Sequence, residues 1–336
     1  MKKALLLFAI FVLAGGFALA NPSYVGKEAP SFGVGKAVQE YVPATELRQL
    51  YGDVVLVEFF ATWCGPCRAG MPHINSLYEK YNRPDFHILA STRETENIVS
   101  RFLYHHELGT KLKYPILVNS NANWGVTGIP QVYIVGRDGK VVWEGSPSDA
   151  RNMELAIEKA LAAADPSAPE LDKKTLPVLD AYARSDFGAV LKAADKLRAK
   201  DQESAVADYL EGLVEKANKR MLSKVEYYKE MGDMYMAQQC LEEMLKPFKG
   251  TKYEDGIKDT IKLFKDDKEL KQAVSIWEDF HKILAEARTG KKSSIEDALK
   301  KLEALRKKHA ETPIVPEIER MIEVLKKPWD AAEAHG

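Results

Sequence analysis

Cysteine is scarce in this chain. Three cysteines among 336 residues are too few for a disulfide framework to hold the protein together. An excess of one charge sign is also lacking, because 48 Lys and Arg stand against 49 Asp and Glu, a formal net charge of −1. That balance excludes a polybasic nucleic-acid binder. Beyond residue 20 no stretch approaches the ~18 consecutive apolar residues that suggest a membrane-crossing helix, so a multi-span membrane protein is excluded too. What is there is 46% hydrophobic and 29% charged, and the length suits about two domains, each with its own core. Charge density nearly doubles along the chain: residues 21–164 hold 14 basic and 15 acidic side chains, residues 165–336 hold 32 and 34. The halves are therefore expected to be different kinds of fold.

The first twenty residues read as a secretory signal peptide. Met1-Lys2-Lys3 is a positive start, Ala4–Leu19 an almost unbroken apolar run, and Ala18-Leu19-Ala20 places small residues where a signal peptidase cuts. Cleavage after Ala20 would release a soluble protein into the periplasm, an oxidising compartment where disulfides persist.

Val54–Ala61 is a β-rich, nearly continuous apolar run, the pattern of a central strand covered on both faces. A helix should follow from Cys64 to about Tyr81, with Met71, Ile74, Leu77 and Tyr78 at helical spacing and Pro72 kinking it. Further strands are expected at Phe86–Ser91, Tyr114–Val118, Gln131–Val135 and Lys140–Gly145, the last two joined by a tight turn at Asp138-Gly139. Helices are expected at Glu96–His106 and, capped by Ser148, up to Ala164. Parallel crossovers followed by an antiparallel hairpin imply an α/β fold, a mixed central sheet with helices on both faces. His105 and His106 point about 100° apart on their helix and read as a solvated helix end rather than an ion site.

Asp165–Glu170 contains two prolines and reads as a stiff linker. From 171 to 336 the chain is all helix-forming residues, with breaks at Gly250-Thr251, Thr289–Ser294 and Thr312-Pro313. A weak repeat at an offset of about 61 residues matches Leu241 with Leu302, Ile257 with Ile318 and Ile261 with Ile322. Residues Trp277–Ile318 loosely resemble a tetratricopeptide unit, so an all-α array of helical hairpins is expected. Cys240, with Met236 and Met244 at helical spacing, reads as a small apolar core residue.

Chemistry is concentrated in Trp63-Cys64-Gly65-Pro66-Cys67, where the central strand ends and the next helix begins. Unsatisfied amide hydrogens and the positive end of the helix dipole favour thiolate at the first sulfur. The second sulfur, one turn on, can attack a mixed disulfide and release the product. Cys64 is thus the expected nucleophile, Cys67 the resolving thiol, and the two form a redox-active disulfide. A zinc half-site would need a second Cys/His pair, which Cys240 and scattered histidines do not supply, and an ordinary structural staple would not need this strand-to-helix placement.

Residues from about Tyr24 to Ala164 resemble the thioredoxin superfamily, specifically the exported TlpA/ResA-type thiol-disulfide oxidoreductases. The resemblance is carried by Phe59–Arg68, Met71-Pro72, and Gly128-Ile129-Pro130 before a strand that ends in Arg137-Asp138-Gly139-Lys140. It implies a cis peptide at Pro130 facing the sulfurs, with the backbone of Ile129 holding the substrate chain beside Trp63, Gly65 and Pro66. Without the resemblance Pro130 is a routine turn residue at a strand start. Glu58 matches the buried acid of thioredoxin, which would exchange a proton with Cys67; alternatively it sits at a pleat position reaching water. Gly70 departs from the family, where a glutamate often stands, so any role of that acid is lost or moved.

These readings converge on a periplasmic thiol-disulfide oxidoreductase. The Gly-Pro pair between the cysteines resembles that of thioredoxin, whose potential of about −270 mV is reducing, so reduction of disulfide-containing protein substrates is the expected direction. Electrons would come from a membrane-embedded thiol reductase. An unknown protein partner is expected for the helical half, and neither cofactor, metal nor nucleic acid enters the reading. The alternatives are a thiol oxidase and an interaction protein whose redox module acts only on what its helices hold.

Overall fold

The computed structural model describes residues 21–33, 35–120 and 124–335. The signal peptide expected over residues 1–20 lies outside the described residues. Six strands form one mixed sheet: β1 (Ala37–Val38), β2 (Val54–Phe59), β3 (Phe86–Ser91), β4 (Ile116–Leu117), β5 (Gln131–Val135) and β6 (Val141–Gly145), in the order β1-β4-β3-β2-β5-β6. The central strand β2 runs parallel to β3 and antiparallel to β5, with Glu58 opposite both Ala90 and Val132. Every residue of β2 is buried, as a continuous apolar run covered on both faces requires.

Alternation along the strands separates two cores. Val54, Leu56 and Phe60 pack with Val132 and Ile134 against α1 (Gly65–Lys80), α2 (Glu96–His105) and α3 (Ala150–Ala162). Met71, Ile74 and Leu77 of α1 have no exposed surface, and burial of each stabilises the fold by about 1.5–3 kcal/mol. Val55, Val57 and Phe59 pack on the opposite face under the N-terminal segment, whose 3₁₀ helix at Leu47–Leu50 supplies two buried leucines, and under Trp124. The thioredoxin-like α/β arrangement expected from the sequence is present.

Three local expectations are corrected. The strand expected at Tyr114–Val118 shrinks to Ile116–Leu117, because Pro115 has no amide hydrogen to pair. Ser148 does not cap α3: its hydroxyl bonds back to Ser146 Oγ at 2.9 Å and the helix starts after Asp149. His105 and His106 are not a solvated helix end. His105 Nε2 bonds the Val324 carbonyl at 3.1 Å, and the His106 ring stacks on Phe102 and meets Trp329.

Beyond α3 the chain is helical throughout, in α4 (Leu176–Ala183), α5 (Phe187–Arg198), α6 (Ala205–Glu230), α7 (Met234–Met244), α8 (Glu254–Asp266), α9 (Lys268–Ala287), α10 (Lys292–Lys308), α11 (Val315–Lys326) and α12 (Ala331–His335). The three breaks expected near Gly250, Gly290 and Pro313 are present, and those after α4, α5, α6, α8 and α11 were not anticipated. Among the described residues no helix is long and apolar enough to cross a membrane. Cys240 is buried in the α5–α8 core, and desolvation pushes its thiol up to about 12, which leaves it an inert packing residue at neutral pH.

The helical half is held against the sheet by polar contacts from several helices. Lys216 and Arg220, four residues apart on α6, both reach the buried Asp53 at the start of β2. Arg320 on α11 pairs with Glu96 of α2 at 3.4 Å, and Tyr41 Oη donates to Ser223 Oγ at 3.1 Å. These contacts bring the end of the chain, 267 residues downstream, to the loop between β2 and α1.

Candidate functional site

Cys64 is the N-cap of α1, in extended backbone, with Pro66 in the first turn. Pro66 lacks an amide hydrogen at a position where none is used, so it suits the helix start. Cys64 and Cys67 are joined as a disulfide with Cα atoms 5.2 Å apart, and the Cys67 amide points at Cys64 Sγ from 3.2 Å. That amide hydrogen and the helix dipole are the groups that would stabilise a Cys64 thiolate after reduction. Cys64 is 5% exposed and Cys67 fully buried, so only the first sulfur can be approached from outside. Gly65 and Pro66 are exposed beside it and Trp63 is half-buried.

Opposite the sulfurs lies the loop into β5. The Ile129–Pro130 peptide is cis and the Ile129 carbonyl oxygen is 3.8 Å from Cys64 Sγ. Asn21 pins this loop: its Oδ1 accepts from the amides of Thr127 (2.7 Å) and Gly128 (2.9 Å), and its Nδ2 donates to the Gly128 carbonyl. Cys64, Cys67, Trp63, Gly65, Pro66, Ile129 and Pro130 thus occupy one end of the sheet.

Glu58 sits below them in β2, on the face that carries α1. It has no exposed surface, and among the described residues neither carboxylate oxygen has a hydrogen-bond partner. The pleat position reaching water is therefore not what it occupies. Burial alone pushes its carboxyl up to about 8, so at neutral pH most of the acid holds its proton and a minority is ionised.

A second acid contacts the active-site loop directly. Glu94, in the turn between β3 and α2, accepts from the Thr62 amide (2.7 Å), the Thr62 hydroxyl (2.6 Å) and the Thr92 hydroxyl (2.9 Å). Burial raises its carboxyl and these bonds only partly offset that. Arg68 on α1 donates to the Thr62 carbonyl at 2.7 Å. Gly70, where relatives often carry a glutamate, has no room for one: a Cβ there would lie 2.6 Å from Pro147, the proline that leads into α3.

Asn21, Glu94 and the C-terminal residues Trp329 and His335 at the site were not anticipated from the sequence. None belongs to a local motif, and their separations of 106, 32 and 267 residues from the atoms they bond or brace leave no periodic signal. An acid flanked by threonines after a strand, Thr92-Arg93-Glu94-Thr95, was the one available hint.

A Redoxin family profile matches residues 24–161. The thiol-disulfide oxidoreductase ResA of Bacillus thuringiensis subsp. konkukian is 32% identical over 161 residues, covering 43% of this chain and 89% of that protein. ResA of Bacillus cereus is 33% identical over 159 residues, covering 42% and 88%. Among solved structures, StoA from Bacillus subtilis superposes with a TM-score of 0.32 at 17% identity, covering 38% of this chain and 98% of StoA. With its cysteine pair at the head of α1 and nearly nine-tenths of a ResA chain aligned to it, this protein belongs to the ResA-type thiol-disulfide oxidoreductases of the thioredoxin superfamily.

Proposed function

We propose that this oxidoreductase works in the periplasm as a reductase of disulfides in protein substrates. The observation that carries the reading is the pairing of Cys64, the one approachable sulfur at the helix N-terminus, with the Ile129 backbone 3.8 Å away. A substrate chain lying along Ile129 and Pro130, beside Trp63, Gly65 and Pro66, would bring its disulfide to Cys64. In the reduced enzyme the Cys64 thiolate attacks one substrate sulfur, forming a mixed disulfide and releasing the other as a thiolate that takes up a proton. Cys67, losing its proton to Glu58 in the ionised minority that a carboxyl raised to about 8 still leaves at neutral pH, then attacks Cys64. The second substrate thiol leaves, and the Cys64–Cys67 disulfide carries the oxidation. The dithiol of a membrane-embedded thiol reductase would restore the pair.

The Gly65-Pro66 dipeptide supports the reducing direction, since thioredoxin has the same pair. The helical half would serve as stacked hairpins that hold a protein partner. The apolar residues matched at the 61-residue offset, Leu241 with Leu302 and Ile257 with Ile318, are all buried. The division into a redox module at 21–164, a linker at 165–170 and a helical domain at 171–336 belongs to this proposal.

The test is Cys67→Ala. Without the resolving thiol the mixed disulfide should persist, so periplasmic proteins should be recovered on Cys64 and released by dithiothreitol. None should be recovered with Cys64→Ser added. A potential near that of thioredoxin, about −270 mV, is expected for the wild-type pair, and one above about −150 mV would replace reductase by oxidase.

A further inference from the structure

The groove beside the cysteine pair is closed on one side by residues 329–335 of the same chain. A cavity of about 710 Å³ opens over the ends of β2 and β3 between Trp63, the loop at Thr127 to Ile129 and the turn at Arg93, and Glu333, Ala334 and His335 form one of its walls. The His335 ring meets the Trp63 ring edge-on with centroids 4.3 Å apart. Trp329, two residues before α12, anchors this wall from below. Its indole Nε1 donates to Thr62 Oγ1 at 3.1 Å, whose own hydrogen is committed to Glu94. Its ring is met by Phe102 and His106, with the Arg68 guanidinium 5.6 Å above it. Glu333 is tied down by Arg101 at 2.9 Å and Lys327 at 2.6 Å. Trp329 and His335 thus brace Thr62 and Trp63, the two residues preceding Cys64, and Glu333, Ala334 and His335 cover the Trp63 side of the site.

We propose that the segment Trp329–His335 is a specificity element of the thiol-disulfide exchange. It narrows the groove so that Cys64 accepts a disulfide on a small molecule or an extended, unfolded segment in preference to one set in a folded surface. The inference rests on the assignment of Cys64 as the attacking thiol. The physical argument is steric. A strand running along Ile129 needs about 4.8 Å of lateral space, which the side toward Gly65 and Pro66 leaves open. A folded partner must also cover the Trp63 side, where α12 already lies.

The experiment compares kcat/KM of the full-length protein for two probes, insulin and bis(2-hydroxyethyl) disulfide, with dithiothreitol as reductant. His335→Ala, an exposed residue whose loss opens no cavity, and Trp329→Ala are each expected to raise the insulin to small-disulfide ratio by about fivefold or more. Trp329→Phe, which keeps the ring, should shift the ratio less than Trp329→Ala. A ratio that stays put or falls in His335→Ala overturns the proposal, even where Trp329→Ala does not fold. If the wild-type protein turns over neither probe, or Cys64→Ser turns over both, the assignment of Cys64 has failed instead.

Discussion

Glu58→Gln is expected to stabilise the protein at pH 8 and to leave it nearly unchanged at pH 4. The carboxyl is buried with no partner among the described residues, and its proton is held up to about pH 8, against 4.5 for an ordinary glutamate. Between those values the folded state keeps a proton that the unfolded state has lost. Stability therefore falls as pH rises through this window, by up to about 1.4 kcal/mol per pH unit. Below the window both states are protonated and the penalty vanishes; above it the penalty is constant. Glutamine has the same shape, buries a comparable unpaired polar group and does not titrate. The variant should gain on the order of 3–5 kcal/mol over wild type at pH 8 and almost nothing at pH 4. Urea unfolding of both proteins at pH 4, 6 and 8 checks it, and a gain independent of pH would show that Glu58 is ionised in the fold. The same substitution should slow Cys67 in resolving a mixed disulfide, most visibly towards pH 8 where Glu58 is increasingly ionised, since the carboxylate that can take its proton is gone. A protein that carries a penalty it could shed by one substitution has a use for the acid, which is why the two readouts belong together.

Asp53→Asn is expected to destabilise by about 3–5 kcal/mol, the range for removing one partner of a buried ion pair. Asp53 is 3% exposed and receives His87 Nε2 at 2.9 Å, Lys216 Nζ at 3.0 Å and the Arg220 guanidinium. Burial pushes its carboxyl up, but the His87 hydrogen bond and the charges of His87, Arg220 and Lys216 outweigh this and hold it well below the usual carboxylate range. Its contribution is present above about pH 4 and is lost as pH falls further, the reverse of Glu58. Arg220 is itself mostly buried, so asparagine would leave its charge uncompensated. Adding Arg220→Met should recover part of the loss, because it removes the most buried stranded cation and leaves only the more exposed Lys216 without its acid. Thermal unfolding of the single and double variants measures this, and equal stability of Asp53→Asn and wild type would mean the pair is solvated. Asp53 precedes β2 and Cys64 follows it, about 20 Å apart along the strand. Turnover of a small disulfide should therefore survive the substitution.

Much of the site was legible because its physics is local. The Cys64 and Cys67 spacing, the strand before them and the apolar face of α1 are set within some twenty-five residues, where side-chain period and helix-end chemistry speak directly. Pro130 became readable only through family resemblance, since nothing around a single proline announces a cis bond. Ser148 misled because a hydroxyl before a helix can serve its own turn as readily as the helix, and here Ser146 took it. His105 and His106 misled because a helix end that looks solvated in isolation can be covered by a distant element.

By itself the amino-acid sequence determined the class of each half, the strand and helix that carry the cysteines, and the chemistry available to them, since these follow from periodicity, capping and the reactivity of a thiol at a helix start. Only the tertiary structure decided that Glu58 is fully buried, that Glu94 and Asn21 hold the loops on either side of the sulfurs, and that Trp329 and His335 close the groove. Those outcomes depend on which surfaces meet after hundreds of intervening residues have packed. A side chain's pKa and a groove's width are properties of that meeting and not of any stretch of chain.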